Sequence, residues 1–299
     1  MPEGANPVAY EMRFASLASI TVLGLFVVPR SPTAAPRGTF AVSYRDLFFR
    51  GPVSMLTVMP GETVSLTTFD SLGAEQTLWA APTKAGLYPI RLVSHDQRDS
   101  MTVEAFVLVP YSRMRGEYLR GYHIGRYPSH PLRGSAIYRP PVGFIEVTRA
   151  NENTWVSPHF QLKQFVCKQV GSYPKYVVLN ELLLQKLEYL LSRVQTAGYH
   201  VTTFTIMSGY RTPAYNRALG NVPYSRHEWG SAADIFIDED HDGRMDDLNG
   251  DGRSDYRDAE LLYTLFEAAG VEGGMGKYRP TEGHGPFVHV DVRDRRARW

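Results

Sequence analysis

The sequence predicts an α+β domain in its C-terminal half, preceded by a small all-β domain. Three observations carry this. Residues 38–110 hold short alternating apolar runs separated by Gly and Pro. Residues 180–198 hold a leucine stripe at helical spacing. The runs Ala232–Ile237 and Phe287–Val292 then read as strands, the second alternating and rich in Val.

The chain has 299 residues, enough for two domains with real cores. Its net charge of +1 sets up no field that would draw it to nucleic acid, so none is expected as a partner. Residues 1–37 are set apart from the rest. Phe14–Val28 is apolar and uncharged, with Arg13 before it and Pro29-Arg30 after it. Two readings stand: a cleaved export signal, or a short uncleaved N-terminal membrane tether. Both put the body of the protein in the cell envelope, periplasmic or secreted, or held at the inner membrane. A buried core helix ranks below them, because Ser31–Pro36 looks like a linker.

Within 38–110, strands are expected at Thr39–Tyr44, Glu62–Thr67, Gly86–Val93 and Met101–Val109. This spacing suggests an immunoglobulin-like sandwich. It carries no catalytic cluster and reads as a spacer. Residues 111–156 are rich in Tyr, Gly, Pro and Arg and read as a connector, its tyrosines filling a joint between domains. From 157 to 299 a mixed domain follows. Ser157-Pro158 is a cap and first-turn pair that predicts a helix start. Asn180 caps the leucine-striped helix and Gly198 ends it. Val201–Met207 is expected as a strand. The lone Cys167, in Phe165-Val166-Cys167, reads as a small buried hydrophobe rather than a nucleophile.

The chemistry gathers in two stretches. Ser225–Asp234 has the form S-x-H-x-x-G-x-A-x-D, with His227 and Asp234 seven positions apart. That is too far for one helix face and suits a loop running into a strand. Phe287–Asp291 is a second strand, able to bring His289 beside the first two. Two imidazoles, one carboxylate and an open fourth position form a catalytic zinc arrangement. Four ordered motifs resemble the M15 group of zinc peptidases, structurally related to the hedgehog signalling domain. They are Ser208–Pro213, the Ser225–Asp234 run, Gly273–Gly276, and Phe287–Asp291 with Arg298-Trp299. The likeness is greatest to the MepK-type murein endopeptidases. It implies an M15/hedgehog-like fold over 157–299 and zinc on His227, Asp234 and His289. It also implies peptidoglycan stem peptides as substrate, bound near Arg211, Ser208 and Tyr210. A guanidinium fork suits a carboxylate-rich stem peptide, although Arg211 also reads as one half of a local salt bridge.

The sequence departs from several M15 relatives at the general base, having Pro286 and Phe287 where they place a Glu or a second His. Asp291 shares the strand face of His289 and is the first candidate; it also reads as an orienter of His289, or as a partner of Arg293 or Arg295. Glu282 and His284 are the other candidates. Two further readings stay open: an inactive M15-like module that binds wall peptide, and a calcium-dependent structural or adhesion protein.

The calcium reading rests on an insertion at 238–258, absent from the resemblance. It holds two abutting units of the form D-x-[DN]-x-D-G-x-x-D. Asp238, Asp240, Asp242 and Asp246 belong to the first. Asp247, Asn249, Asp251 and Asp255 belong to the second, with Asp258 at its twelfth position. Alternate oxygen ligands with a Gly turn are the pattern of a calcium loop.

Overall fold

The computed structural model describes residues 40–45 and 47–299, so the apolar run at 14–28 lies outside the described residues. Among the described residues no helix is long and apolar enough to cross a membrane. Seven strands open the described chain: β1 (Ala41–Tyr44), β2 (Leu47–Phe49), β3 (Val53–Val58), β4 (Thr63–Asp70), β5 (Gly73–Ala80), β6 (Gly86–Val93) and β7 (Ser100–Val107). They form two sheets, ordered β2-β1-β4-β5 and β3-β7-β6. Val42, Leu66, Leu56, Val58, Val103 and Ala105 meet in one core between them. β3 lies parallel to β7, with Val53 opposite Thr102. Neither β3 nor β5 is expected from the sequence. β5 is almost wholly exposed, so it carries no apolar alternation to read.

The second sheet is apolar on both faces. Leu56 and Val58 point into the core between the sheets, and Ala105 and Val107 do the same on β7. Their neighbours Met55 and Phe106 belong instead to the large core of the C-terminal half, with Val156, Leu183 and Leu184. Period-two alternation thus serves two cores at once. Polar contacts reinforce the join: the Thr57 amide and hydroxyl both donate to Glu181 Oε1, at 2.9 and 2.7 Å.

In the C-terminal half, three helices accompany a five-stranded sheet: α1 (Glu181–Thr196), α2 (Pro213–Ala218) and α3 (Tyr256–Ala268). Leu183, Leu187, Leu190, Leu191 and Val194 bury the expected face of α1. Asn180 caps it by accepting from the Leu182 amide. The sheet runs Thr205–Ser208, Ala232–Phe236, Phe287–Asp291, Gly274–Tyr278, Ala297–Arg298. Its first four strands are antiparallel neighbours, and only the last pair is parallel. Lys186 of α1 fastens helix to sheet: its buried ammonium donates to the carbonyls of Glu272 and Asp291, both at 2.8 Å.

Two local expectations are corrected. Ser157-Pro158 does not start a helix; Trp155–Ser157 and Phe160–Gln161 pair as a hairpin. The cap donors are drawn elsewhere. Ser157 Oγ and the His159 amide and ring all bond Glu188 of α1. The strand expected at Val201–Met207 begins only at Thr205. Thr202 bonds Glu239 through its amide and hydroxyl, and the Thr203 hydroxyl donates to the His159 carbonyl. Side chains, not a strand ladder, hold that stretch.

The 111–156 stretch is mostly turns and short bridges. Its tyrosines form an aromatic cluster with Phe144, Tyr176 and Trp229. Tyr127 donates to the Glu228 carbonyl at 2.8 Å, and Trp229 Nε1 to the Arg139 carbonyl at 2.7 Å. This cluster packs behind the turn that carries His227.

Candidate metal centre

His227 lies on the 3-10 turn Arg226–Trp229, closed by Gly230 in the left-handed region. Only glycine fits there: φ is +59°, and an added Cβ would lie 2.0 Å from the Val178 carbonyl oxygen. The next strand begins at Ala232 and carries Asp234. Antiparallel pairing sets Asp234 directly opposite His289 and Ser208 opposite Asp234, so one row across the sheet collects the site.

The three side chains converge. His289 Nδ1 is 2.7 Å from Asp234 Oδ1, His227 Nε2 is 3.2 Å from the same oxygen, and the two ring nitrogens are 3.3 Å apart. Ligand atoms on a tetrahedral zinc at 2.0–2.2 Å lie roughly 3.3–3.6 Å apart. Two of the three separations match that edge; the third is contracted to a hydrogen bond. The outward ring nitrogens are also engaged. His227 Nδ1 is 2.7 Å from the Gly209 carbonyl and His289 Nε2 is 3.3 Å from Asp291 Oδ2. Such anchors set the tautomer and aim the remaining nitrogen inward, as metal-ligating imidazoles require. All three ligands are buried, at 2%, 3% and 8% exposure for His227, Asp234 and His289. The donor set therefore fits a zinc ion.

The electrostatics favour the ligating forms of Asp234 and His227. Burial alone would raise the Asp234 carboxyl, but the two imidazoles hold it well below the usual carboxylate range. Burial pushes the His227 imidazole down, toward its neutral, ligating form. Burial also opposes charge on His289, yet Asp234 and Asp291 outweigh it and raise that imidazole.

Asp291 is not free to act as a base. It is fully buried and accepts from the Gly274 amide, the Arg293 amide and two nitrogens of the Arg293 guanidinium. Burial would raise its carboxyl, but His289 and Arg293 hold it far below the usual range. Of the readings open for Asp291, the geometry matches the orienter and the Arg293 partner. Gly274 leaves room for this carboxylate, since a Cβ there would sit 2.2 Å from Asp291 Oδ2. Glu282 is exposed. His284 instead lines a cleft of about 230 Å³ with Ser208, Gly209, Arg211 and Lys168.

Arg211 donates to Ser208 Oγ at 2.7 Å and pairs with Asp234 Oδ2, while lining that same cleft. It therefore forms the salt bridge and also lines the cleft. The Tyr210 hydroxyl is buried and bonded to that of Tyr127 at 2.9 Å, so it serves the aromatic support, while the residue also lines the cleft. Cys167 is buried, its thiol pushed up by burial, as a small hydrophobe should be. Lys168 is an addition that sequence reasoning missed; Trp299, quoted in the C-terminal motif without a role, is placed beside the site. The Trp299 ring lies 5.4 Å from that of His289, with Arg293 over its face at 4.9 Å. Gly276 makes space for it, a Cβ there falling 2.3 Å from the indole nitrogen. Glycine in the Gly273–Gly276 run was the available signal.

The acidic insertion divides. Asp238, Asp240 and Asp246 bring one carboxylate oxygen each within 4.8 Å of one another. Asp242 turns back on its own loop, accepting from the Arg244 amide at 2.8 Å. In the second unit, Asp247 accepts from the amides of Gly250, Asp251 and Gly252. Asn249 and Asp251 accept from the amides of Asp251 and Arg253. Asp255 and Asp258 form a capping box at the start of α3. Asp258 is fully buried and also accepts from the Leu248 amide. A helix cap therefore stands where the calcium-loop pattern expected a twelfth-position ligand.

A buried two-histidine, one-carboxylate centre beside a cleft defines a metallohydrolase-type site. A family model described as Peptidase M15 matches residues 158–250, and the chain carries an M15-type peptidase domain. The matched stretch holds Arg211, His227 and Asp234; His289 lies beyond it and joins through the sheet register. No curated protein and no solved structure matches the chain.

Proposed function

We propose that this protein is a zinc-dependent peptidase that hydrolyses an amide in peptidoglycan stem peptides or their cross-links. The observation that carries this is the convergence of His227, Asp234 and His289, with both outward ring nitrogens anchored, beside a cleft lined by Arg211 and Lys168. His227, Asp234 and His289 would hold the zinc, which would supply Lewis acidity toward a carbonyl and a water. The chain supplies the rest. Asp291 and the Gly209 carbonyl hold the imidazoles in register. Arg211 and Lys168 offer positive charge to the carboxylates of a stem peptide. His284, on the cleft wall, takes the proton from the attacking water. The resemblance to MepK-type enzymes favours an endopeptidase over a carboxypeptidase. The run at 14–28, read as an export signal or tether, suits a substrate outside the cytoplasm.

A second reading, a wall-binding module without turnover, is favoured by one observation: the carboxylate next to His289 on its strand is locked by Arg293. Digestion of muropeptides of defined cross-link, with and without chelator, separates the two. Chelator-sensitive cleavage is expected. His227→Ala should lose zinc and activity together. His284→Ala should keep zinc and lose ~100- to 10,000-fold in turnover. Asp291→Asn should weaken zinc binding by about 10- to 100-fold. Retention of full zinc by His227→Ala would remove the metal assignment. A zinc-loaded wild-type protein that cleaves no stem peptide would leave the binding module.

A further inference from the structure

We propose that the first acidic unit is a calcium site, built by Asp238, Asp240 and Asp246, and that the second unit is not. The inference is independent of the zinc reading. Two observations carry it. The first is the cluster itself, one oxygen from each side chain within a 4.8 Å span. Oxygens on opposite sides of calcium, at 2.3–2.6 Å from the ion, lie roughly 4.6–5.2 Å apart. The second is Asp238. It is only 8% exposed, and its buried Oδ1 has no hydrogen-bond partner. A buried carboxylate oxygen without a donor is strongly unfavourable unless a cation answers it. Its carboxylate lies in the cluster, so a cation bound there supplies the missing partner.

The cluster offers only carboxylate oxygen, with no imidazole or thiolate. That selects a hard cation over zinc. Calcium also takes backbone carbonyls and water, so three side chains suffice as the charged part of its shell. The second unit has the same sequence form but a different use. Asp247 and Asp258 each accept from three backbone amides and Asp255 caps α3 through the Arg257 amide, whereas Asp240 and Asp246 of the first unit each accept from one, those of Asp242 and Glu239. The tandem repeat is therefore split between an ion loop and a helix start.

The location gives the ion a structural task. Asp238 lies two residues beyond the strand that carries Asp234, and the loop returns through the Asp246 amide, which donates to the Ile237 carbonyl at 2.9 Å. Calcium would close this loop at the exit of the zinc strand.

The test is calorimetric titration of the zinc-loaded full chain with calcium chloride alone. One calcium per chain is expected, with a dissociation constant on the order of 0.1–1 mM. Asp238→Asn and Asp240→Asn should each weaken binding at least ~10-fold, the loss of one charged ligand. Asp240 is exposed, so its variant reports even if the buried Asp238 change impairs folding. Asp251→Asn and His227→Ala should bind calcium as the parent does. The proposal is overturned by absence of binding at millimolar calcium, by full binding in Asp240→Asn, by loss of binding in Asp251→Asn or in His227→Ala, or by magnesium binding as tightly as calcium.

Discussion

Glu228 follows the ligand His227 and is 4% exposed, with Asn216 Nδ2 donating to its carboxyl at 2.7 Å. Burial pushes it up to about 7, against the pull of Arg217 and Asn216. A carboxyl raised in the folded state contributes stability that is fully present below its unfolded pKa, about 4.3, and lost as pH rises through about 7. Glu228→Gln removes that titration. The stability of the variant relative to the parent should therefore improve between pH 5 and pH 8, by up to about 3 kcal/mol. Melting both proteins without metal at the two pH values measures it; an equal difference at both would show that Glu228 does not titrate there. Nothing in the sequence marked Glu228, because its burial is set by the fold and its hydrogen-bond partner Asn216 lies 12 residues away. His227, Asp234 and His289 were legible because motif and alternation point to them. Asp291 was legible as a neighbour of His289, but its role turned on Arg293 and the Gly274 amide, and amide contacts across a sheet need its register.

At the scale of elements, α1 was readable to its cap, since a leucine stripe and an Asn are local signals. The Trp155–Gln161 hairpin was not, because it depends on Glu188 from another element claiming the donors of Ser157 and His159. The turn at Gly230 makes a quantitative case. Gly243 also has positive φ, +81°, but open space where a Cβ would lie; at Gly230 the Val178 carbonyl occupies that space. Gly243→Ala should cost about 1–2 kcal/mol, the strain of a left-handed residue alone. Gly230→Ala should cost clearly more and displace the turn that carries His227, lowering zinc affinity as well. Denaturant unfolding with zinc titration of both variants checks this, and equal losses would contradict it.

The whole molecule is organised by the sheet β3-β7-β6, whose two faces feed two cores. The sequence showed β6 and β7 but neither β3 nor the double duty of the sheet, because alternation between two apolar partners looks like a continuous apolar run. Residues 40–299 should therefore unfold in one transition. Met55→Ala, at a fully buried position, should cost about 2–5 kcal/mol and lower the zinc-loaded melting temperature of the entire protein. Calorimetry that resolved two transitions, with zinc retained after the first, would refute the coupling. The same sheet bears on inheritance. A lineage could not exchange the strand-rich segment as a cassette, because its outer face doubles as the floor of the peptidase core. Any graft would have to arrive with its own occupants for the places of Met55 and Phe106, and with a hydroxyl and amide for Glu181. Change in one half is thereby tied to change in the other, and the two would descend together.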